Sequence, residues 1–61
     1  MEAVVTRVRA EFNEMPGLRL TISQAMRLWG LNRPQCEEVI DHLVREAFLK
    51  LTPTGDVLRV L

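Results

Sequence analysis

The sequence predicts a small α+β domain that is mainly helical, with three helices followed by a C-terminal β-hairpin. Up to residue 47, apolar residues recur at spacings of three and four, as they do along one face of a helix. From residue 48 onward, two short apolar runs instead flank a segment of Pro, Thr, Gly and Asp, which is typical of a hairpin. Because 61 residues leave room for one core, we expect residues 1–61 to form a single domain.

The first predicted helix has its apolar residues at helical spacing, namely Val5, Val8, Phe12 and Met15, with Met1 and Val4 beside them. Pro16 disfavours helical geometry in the residue before it, and Gly17 readily turns the chain. The helix should therefore end near Met15. Residues 18–20 should form a short extended piece.

The second predicted helix begins after Thr21, because Thr21 and Gln24 have the spacing of a capping box. Gly30 can take the left-handed conformation that ends a helix, so this helix is about two turns long. Its buried face is predicted to consist of Ile22, Ala25, Met26 and Trp29.

The third predicted helix covers residues 33–46. Asn32 and Gln35 have the same capping spacing, and Pro34 in the first turn does no harm to the helix. The predicted buried stripe contains Cys36, Val39, Ile40, Leu43, Val44 and Ala47. We expect Leu43 and Phe48 to lie in one buried cluster with Phe12 and Trp29.

The predicted hairpin covers residues 48–61. Residues 48–52 and 57–61 are its two strands, and residues 53–56 form the turn with Gly55 at the tip.

The composition excludes several classes of function. Eight Lys and Arg residues balance eight Asp and Glu residues, so no overall field attracts nucleic acid or an acidic membrane. No apolar run approaches the roughly 18 residues of a membrane span, and we expect a cytoplasmic protein without membrane contact. The single cysteine cannot form an internal disulfide. Since no nucleophile with an adjacent base, phosphate-binding glycine loop or complete metal site is found, we expect neither an enzyme nor a cofactor.

Residues at packing and turn positions carry a family resemblance. They are residues 20–25, residues 29–31 at the turn, Cys36, Val39, Ile40, Leu43, Val44, Phe48, Leu49, and Gly55 at the hairpin tip. Through them the chain resembles the winged helix-turn-helix superfamily over nearly its whole length. It departs from the family at Ala47, where many relatives have Gly, and at Leu51, where many have a second basic residue after the one that corresponds to Lys50.

The resemblance implies a small DNA-binding protein of bacterial type, such as a transcriptional regulator. Residues 33–46 would be the recognition helix in a major groove, and residues 48–61 would be the wing. The candidate DNA-contacting residues are Arg19, Arg27, Arg33, Gln35, His42, Arg45, Lys50 and Arg59. Among them, arginine can pair with guanine edges or phosphate, and glutamine with adenine.

The exposed face of the third helix leaves a second function open. It holds four carboxylates, from Glu37, Glu38, Asp41 and Glu46, against two arginines. A helix of this charge opposes binding to a polyanion, so the alternative is a winged helix used for protein–protein interaction or dimerisation without DNA binding. In that case the acidic third helix would face a basic partner, or the first helix would mediate dimerisation.

Two constellations on this helix have simpler interpretations than a site. Glu38 and His42 stand four residues apart, as metal ligands can, but a solvated ion-pairing face explains them without further ligands. Cys36 and His42 point to different sides of the helix, so Cys36 is interpreted as a small core residue.

A homodimer is also expected. A core this small stabilises the fold only marginally, and the first helix is apolar over a broad face. The predicted dimer contact is this helix, with Val4, Val5 or Met1 buried between two copies.

Overall fold

A computed structural model describes residues 2–60 of the chain. Within them the protein is a small α+β domain with three helices and one three-stranded antiparallel sheet, as the sequence predicts. The elements are α1 (Glu2–Glu14), β1 (Arg19–Thr21), α2 (Ile22–Trp29), α3 (Arg33–Arg45), β2 (Leu49–Leu51) and β3 (Asp56–Arg59). The helices of this part of the chain are all too short or too polar to cross a bilayer.

The sheet joins the first short strand to the hairpin. Its strand order is β1-β3-β2, with Leu20 opposite Val57 in one pair and Leu51 opposite Val57 in the other. The predicted extended piece at 18–20 is observed one residue later, and the two hairpin strands are shorter than predicted. Asp56 belongs to β3 and not to the turn, because its carbonyl accepts a 2.9 Å hydrogen bond from the Thr52 N–H. Residue 61 of the predicted hairpin lies outside the described residues.

Reciprocal side-chain caps start α2 and α3, as predicted. Thr21 Oγ1 accepts from the Gln24 N–H at 3.1 Å, while Gln24 Oε1 accepts from the Thr21 N–H at 2.9 Å. Asn32 and Gln35 form the same pair of bonds at the start of α3. Gly30 ends α2 at φ 67°, in the left-handed region that favours glycine.

The core lies where α1, α2, α3 and the sheet meet. Its fully buried side chains are Phe12, Leu43, Leu49, Val8, Val57 and Cys36. Trp29 is also buried, with its ring edge-on to Phe12 at 6.4 Å between centroids. Its indole N–H donates to Glu11 Oε1 at 2.9 Å, so the one polar atom of this buried side chain has a hydrogen-bond partner. The predicted core roles of Trp29 and Cys36 are confirmed.

Val44 and Ala47 were predicted to be buried and are exposed, while Ile22, Met26 and Phe48 are only partly buried. Met15 lies beyond the last residue of α1 and is exposed. Val44 lies about 40° beyond the buried Ile40 around the helix axis, at the edge of the buried stripe on the side of Glu37, and is exposed. Ala47 lies beyond α3 and is exposed. Phe48 packs only partly against the core, with its ring beneath the guanidinium of Arg59 at 4.4 Å.

The dimer contact predicted through Val5 is wrong as stated, because Val5 is already buried in the core of its own chain. Val4 is half-buried against the same core, and Met1 lies outside the described residues.

The end of α3 places an alanine in a glycine position. The Phe48 N–H donates to the Leu43 carbonyl and the Ala47 N–H donates to the Val44 carbonyl, both at 3.0 Å. This pair of bonds is the Schellman motif, whose left-handed residue is usually glycine. Here that residue is Ala47, at φ 60°. Alanine at this position, where many members of the resembled family have glycine, therefore strains the backbone. The sequence alone did not indicate this strain.

Replacing Ala47 by glycine should stabilise the domain. The left-handed conformation costs an L-residue about 1–2 kcal/mol, and the extra unfolded-state entropy of glycine offsets about 0.5–1 kcal/mol of the gain. We expect Ala47→Gly to raise the free energy of unfolding by about 0.5–1 kcal/mol in urea titrations. The matched control is Ala10→Gly inside α1, which should lower it by about 1 kcal/mol. Loss of stability in both variants would contradict the strain at Ala47.

Truncating Leu43 should be the most damaging change on α3. Leu43→Ala should cost about 2–5 kcal/mol, since it opens a cavity at a fully buried position. Glu37→Ala should change stability by only a few tenths of a kcal/mol, because Glu37 is exposed and loses one surface ion pair. Thermal melts that placed both variants level with the parent would show that the register of α3 is wrong.

Candidate functional site

A groove of about 780 Å³ lies between α3, the first residue of α2 and the hairpin. We call it the α3–hairpin groove. Its apolar lining comes from Ile22, Ile40, Val44 and Leu51, and its charged lining comes from Arg33, Glu37, Glu38 and Asp41. All four charged residues belong to α3, so this wall of the groove carries one arginine and three carboxylates beside the apolar lining.

The arginines of α3 are held by carboxylates one turn further along or back on the same helix. Arg33 Nε lies 3.0 Å from Glu37 Oε2, and Arg45 pairs with Asp41. Glu38 forms no ion pair with any of residues 2–60. Exposed pairs of this kind are worth about 0.3–0.5 kcal/mol, so they are easily exchanged. The electrostatic character of the groove is therefore set by its excess of carboxylates and not by the pairing itself.

Gln35 and His42 are both engaged within the domain. Gln35 Oε1 accepts from the Asn32 N–H at 3.3 Å in the helix cap, which competes with any contact to a base edge. His42 Nε2 lies 3.5 Å from Glu46 Oε2, and the other carboxylate oxygen of Glu46 pairs with Arg9 of α1. Glu46 thus connects α3 to α1.

The predicted cations of the sheet differ in their surroundings. Arg19 Nη2 lies 2.9 Å from Asp56 Oδ2, so the cation of β1 is paired with the carboxylate that opens β3. Arg59 donates from Nε to Asn13 Oδ1 at 3.2 Å and lies over the Phe48 ring. Lys50 is exposed on β2 and forms no ion pair within the described residues.

Arg27 lies at a different concavity from the other candidates. It is exposed near the end of α2 and lines a shallow surface with Leu20, Gln24 and Leu28. Of the eight residues predicted from the sequence to contact DNA, Arg33 is the one that lines the α3–hairpin groove. The DNA-contact roles of the eight residues stay predictions.

The apolar side chains of the groove were not predicted as surface residues. Leu51 is 51% exposed and Val44 is 36% exposed, although both are large and apolar. Leu51 carried a signal, since the resemblance places a basic residue there. Val44 carried no such signal, because positions 36, 39, 40, 43, 44 and 47 have the ordinary spacing of one core-facing helical stripe.

The predicted constellation of Glu38 and His42 does not gain a third ligand. Within residues 2–60, no three side chains of His, Cys, Asp or Glu form a group that could hold a metal ion. His42 instead faces Glu46, as the ion-pairing interpretation expects.

The Cys36 thiol is buried in the core, on the inner face of α3. Burial raises the pKa of the thiol above its usual 9.0, and the nearby carboxylate of Glu37 raises it further, while Arg33 acts in the opposite direction. The thiol is therefore neutral at physiological pH, which fits a packing role.

The raised pKa of Cys36 should make stability depend on alkaline pH. The unfolded chain ionises its thiol first, so the contribution is complete below the unfolded pKa and is lost as the pH rises through the folded one. We expect the free energy of unfolding of the parent to fall relative to Cys36→Ala over the alkaline range in which the pH rises past the usual thiol pKa of 9.0. Parallel urea-denaturation curves for the two proteins across this range would contradict it.

The groove is thus acidic around an apolar floor, and the free cations of the candidate set lie outside its lining. The chain was compared with protein-family models, with curated proteins and with solved structures, and none of these comparisons gave a match.

Proposed function

We propose that the chain is a winged helix-turn-helix domain that binds a protein partner through the α3–hairpin groove and catalyses no reaction. The element order and the strand order β1-β3-β2 support the family assignment. So does the short turn between α2 and α3, in which Gly30 takes a positive φ and Asn32 caps the next helix. The resemblance assigns α3 and the hairpin to the binding face.

One observation favours a protein partner over a DNA partner. The groove side of α3 presents three carboxylates and one arginine. Affinity for duplex DNA comes largely from cations that neutralise phosphates. If α3 entered a major groove, Glu37, Glu38 and Asp41 would be brought toward a polyanion. The repulsion acts even when Arg33 exchanges its carboxylate for a phosphate, because Glu37 then loses its partner.

The apolar floor supports the same choice. Protein–protein interfaces have apolar centres with polar rims, whereas DNA-binding faces are strongly positive. Val44 and Leu51 lie in the groove with a third to a half of their surface exposed. A partner that covered them would remove apolar surface from water, which stabilises the complex by about 25 cal/mol per Å² before the costs of association.

DNA binding is the second candidate, and the exposed cations Arg27 and Lys50 favour it. Both are free of ion pairs within residues 2–60. Two such cations would neutralise about two phosphates per chain, so the dependence of affinity on salt would be shallow. In this case Lys50→Ala would weaken binding to all DNA sequences alike, while Arg33→Ala would reduce the preference for one sequence over another.

A titration against random-sequence duplex at low salt separates the two candidates. We expect no retained duplex at micromolar concentrations of the parent. The triple variant Glu37→Gln, Glu38→Gln, Asp41→Asn should bind measurably, because it removes the three carboxylates of the groove and leaves Arg33. As a control, Glu2→Gln and Glu14→Gln together remove charge from α1, outside the groove, and should have a smaller effect.

The proposal is wrong if the parent retains duplex at micromolar concentration and loses it on Arg27→Ala or Lys50→Ala. That result would establish DNA binding through the exposed cations.

A further inference from the structure

We infer that the occupant of the α3–hairpin groove is a cationic amphipathic helix of another protein, with apolar side chains on one face and Lys or Arg along the side that faces α3. The inference rests on the proposed function and specifies the chemistry of the partner.

The charge of the groove determines which sign of charge the partner should carry. Its lining carries a net charge of −2, from Arg33 against Glu37, Glu38 and Asp41. Glu38 has no ion-pair partner among residues 2–60, so an incoming Lys or Arg gains a carboxylate without breaking an existing pair. An acidic segment would meet repulsion from the same three carboxylates.

The apolar floor selects an amphipathic partner. Ile22 at the start of α2, Val44 on α3 and Leu51 on β2 line one concavity although they come from three elements. Beneath them the floor continues into the core at Ile40, which is 3% exposed. Apolar residues gathered in a concavity and rimmed by charge mark an interaction surface, whereas single exposed apolar residues do not.

The length of the groove suits a short helix. Its wall on α3 follows one stripe of the helix, through Arg33, Glu37, Asp41 and Val44. Eleven residue steps at 1.5 Å each make this wall about 16 Å long, which corresponds to about three turns of a partner helix. A helix lying in a groove offers apolar side chains at spacings of three and four, enough to reach Val44 and Leu51 together.

Binding of synthetic peptides tests the inference directly. The probe is a three-turn peptide with Leu at helical spacing and Lys at the flanking positions, labelled for fluorescence anisotropy. One analogue has Glu in place of every Lys, and another has Ser in place of every Leu. We expect the Lys and Leu peptide to bind the parent at least about tenfold more tightly than either analogue, since each analogue removes one of the two complementary features.

Variants of exposed residues locate the binding. Glu38→Lys and Leu51→Ser should each weaken binding of the Lys and Leu peptide. For Glu38→Lys, we expect the affinity to fall about tenfold. The matched controls are Glu14→Lys, which makes the same charge change on α1, and Leu28→Ser, which removes an equally exposed leucine outside the groove. Both controls should leave the affinity unchanged. Circular dichroism melts confirm that all four variants are folded.

Three results would overturn the inference. The first is no binding of the Lys and Leu peptide, or equal binding of all three peptides. The second is tighter binding of the Glu analogue, which would leave a protein partner of the opposite charge. The third is self-association of the parent in sedimentation that Glu38→Lys abolishes, which would make a second copy of the chain the occupant. The proposed function fails separately, in the duplex titration.

Discussion

Burial of the inner stripe of α3 is the constraint on which the rest of the structure depends. Cys36, Val39, Ile40 and Leu43 are all at most 3% exposed, and they pack against residues of α1, α2 and the sheet. Once these four positions face inward, the 100° step of the helix decides which residues face outward. Val44 lies about 40° beyond Ile40 around the helix axis, at the edge of the buried stripe, so the same register that completes the core also places an apolar side chain in the groove.

The helices and their caps could be predicted from the sequence because their signals are local. Thr21 with Gln24 and Asn32 with Gln35 lie within one turn of each other, and both reciprocal caps form. The strand limits depend on partners distant in sequence, such as Leu58, which lies opposite Arg19 in β1 and Lys50 in β2. Hydropathy alone cannot place such a register, and the strands were therefore predicted too long.

The site was predictable in its charge and not in its shape. The excess of carboxylates on α3 follows from helical spacing, and the pairing of His42 with Glu46 agrees with the ion-pairing interpretation. The groove needs α2, α3 and the hairpin together, so no single segment indicates that Ile22 and Leu51 line the same concavity. Likewise, the sequence predicted Arg59 as a DNA-contacting cation of the wing. Its contacts with the Phe48 ring and with Asn13 depend on the fold and could not be predicted.

In the proposed function, the outward face of α3 is an acidic, partly apolar surface that binds a protein segment. The most direct measurement is a map of backbone amide shifts in NMR spectra, recorded while the chain is titrated first with the Lys and Leu peptide and then with duplex DNA. If the proposal is right, the peptide shifts the amide signals of Glu37, Asp41, Val44 and Leu51, and the duplex leaves them unchanged. Shifts that the duplex produces along α3, with none from the peptide, would contradict it.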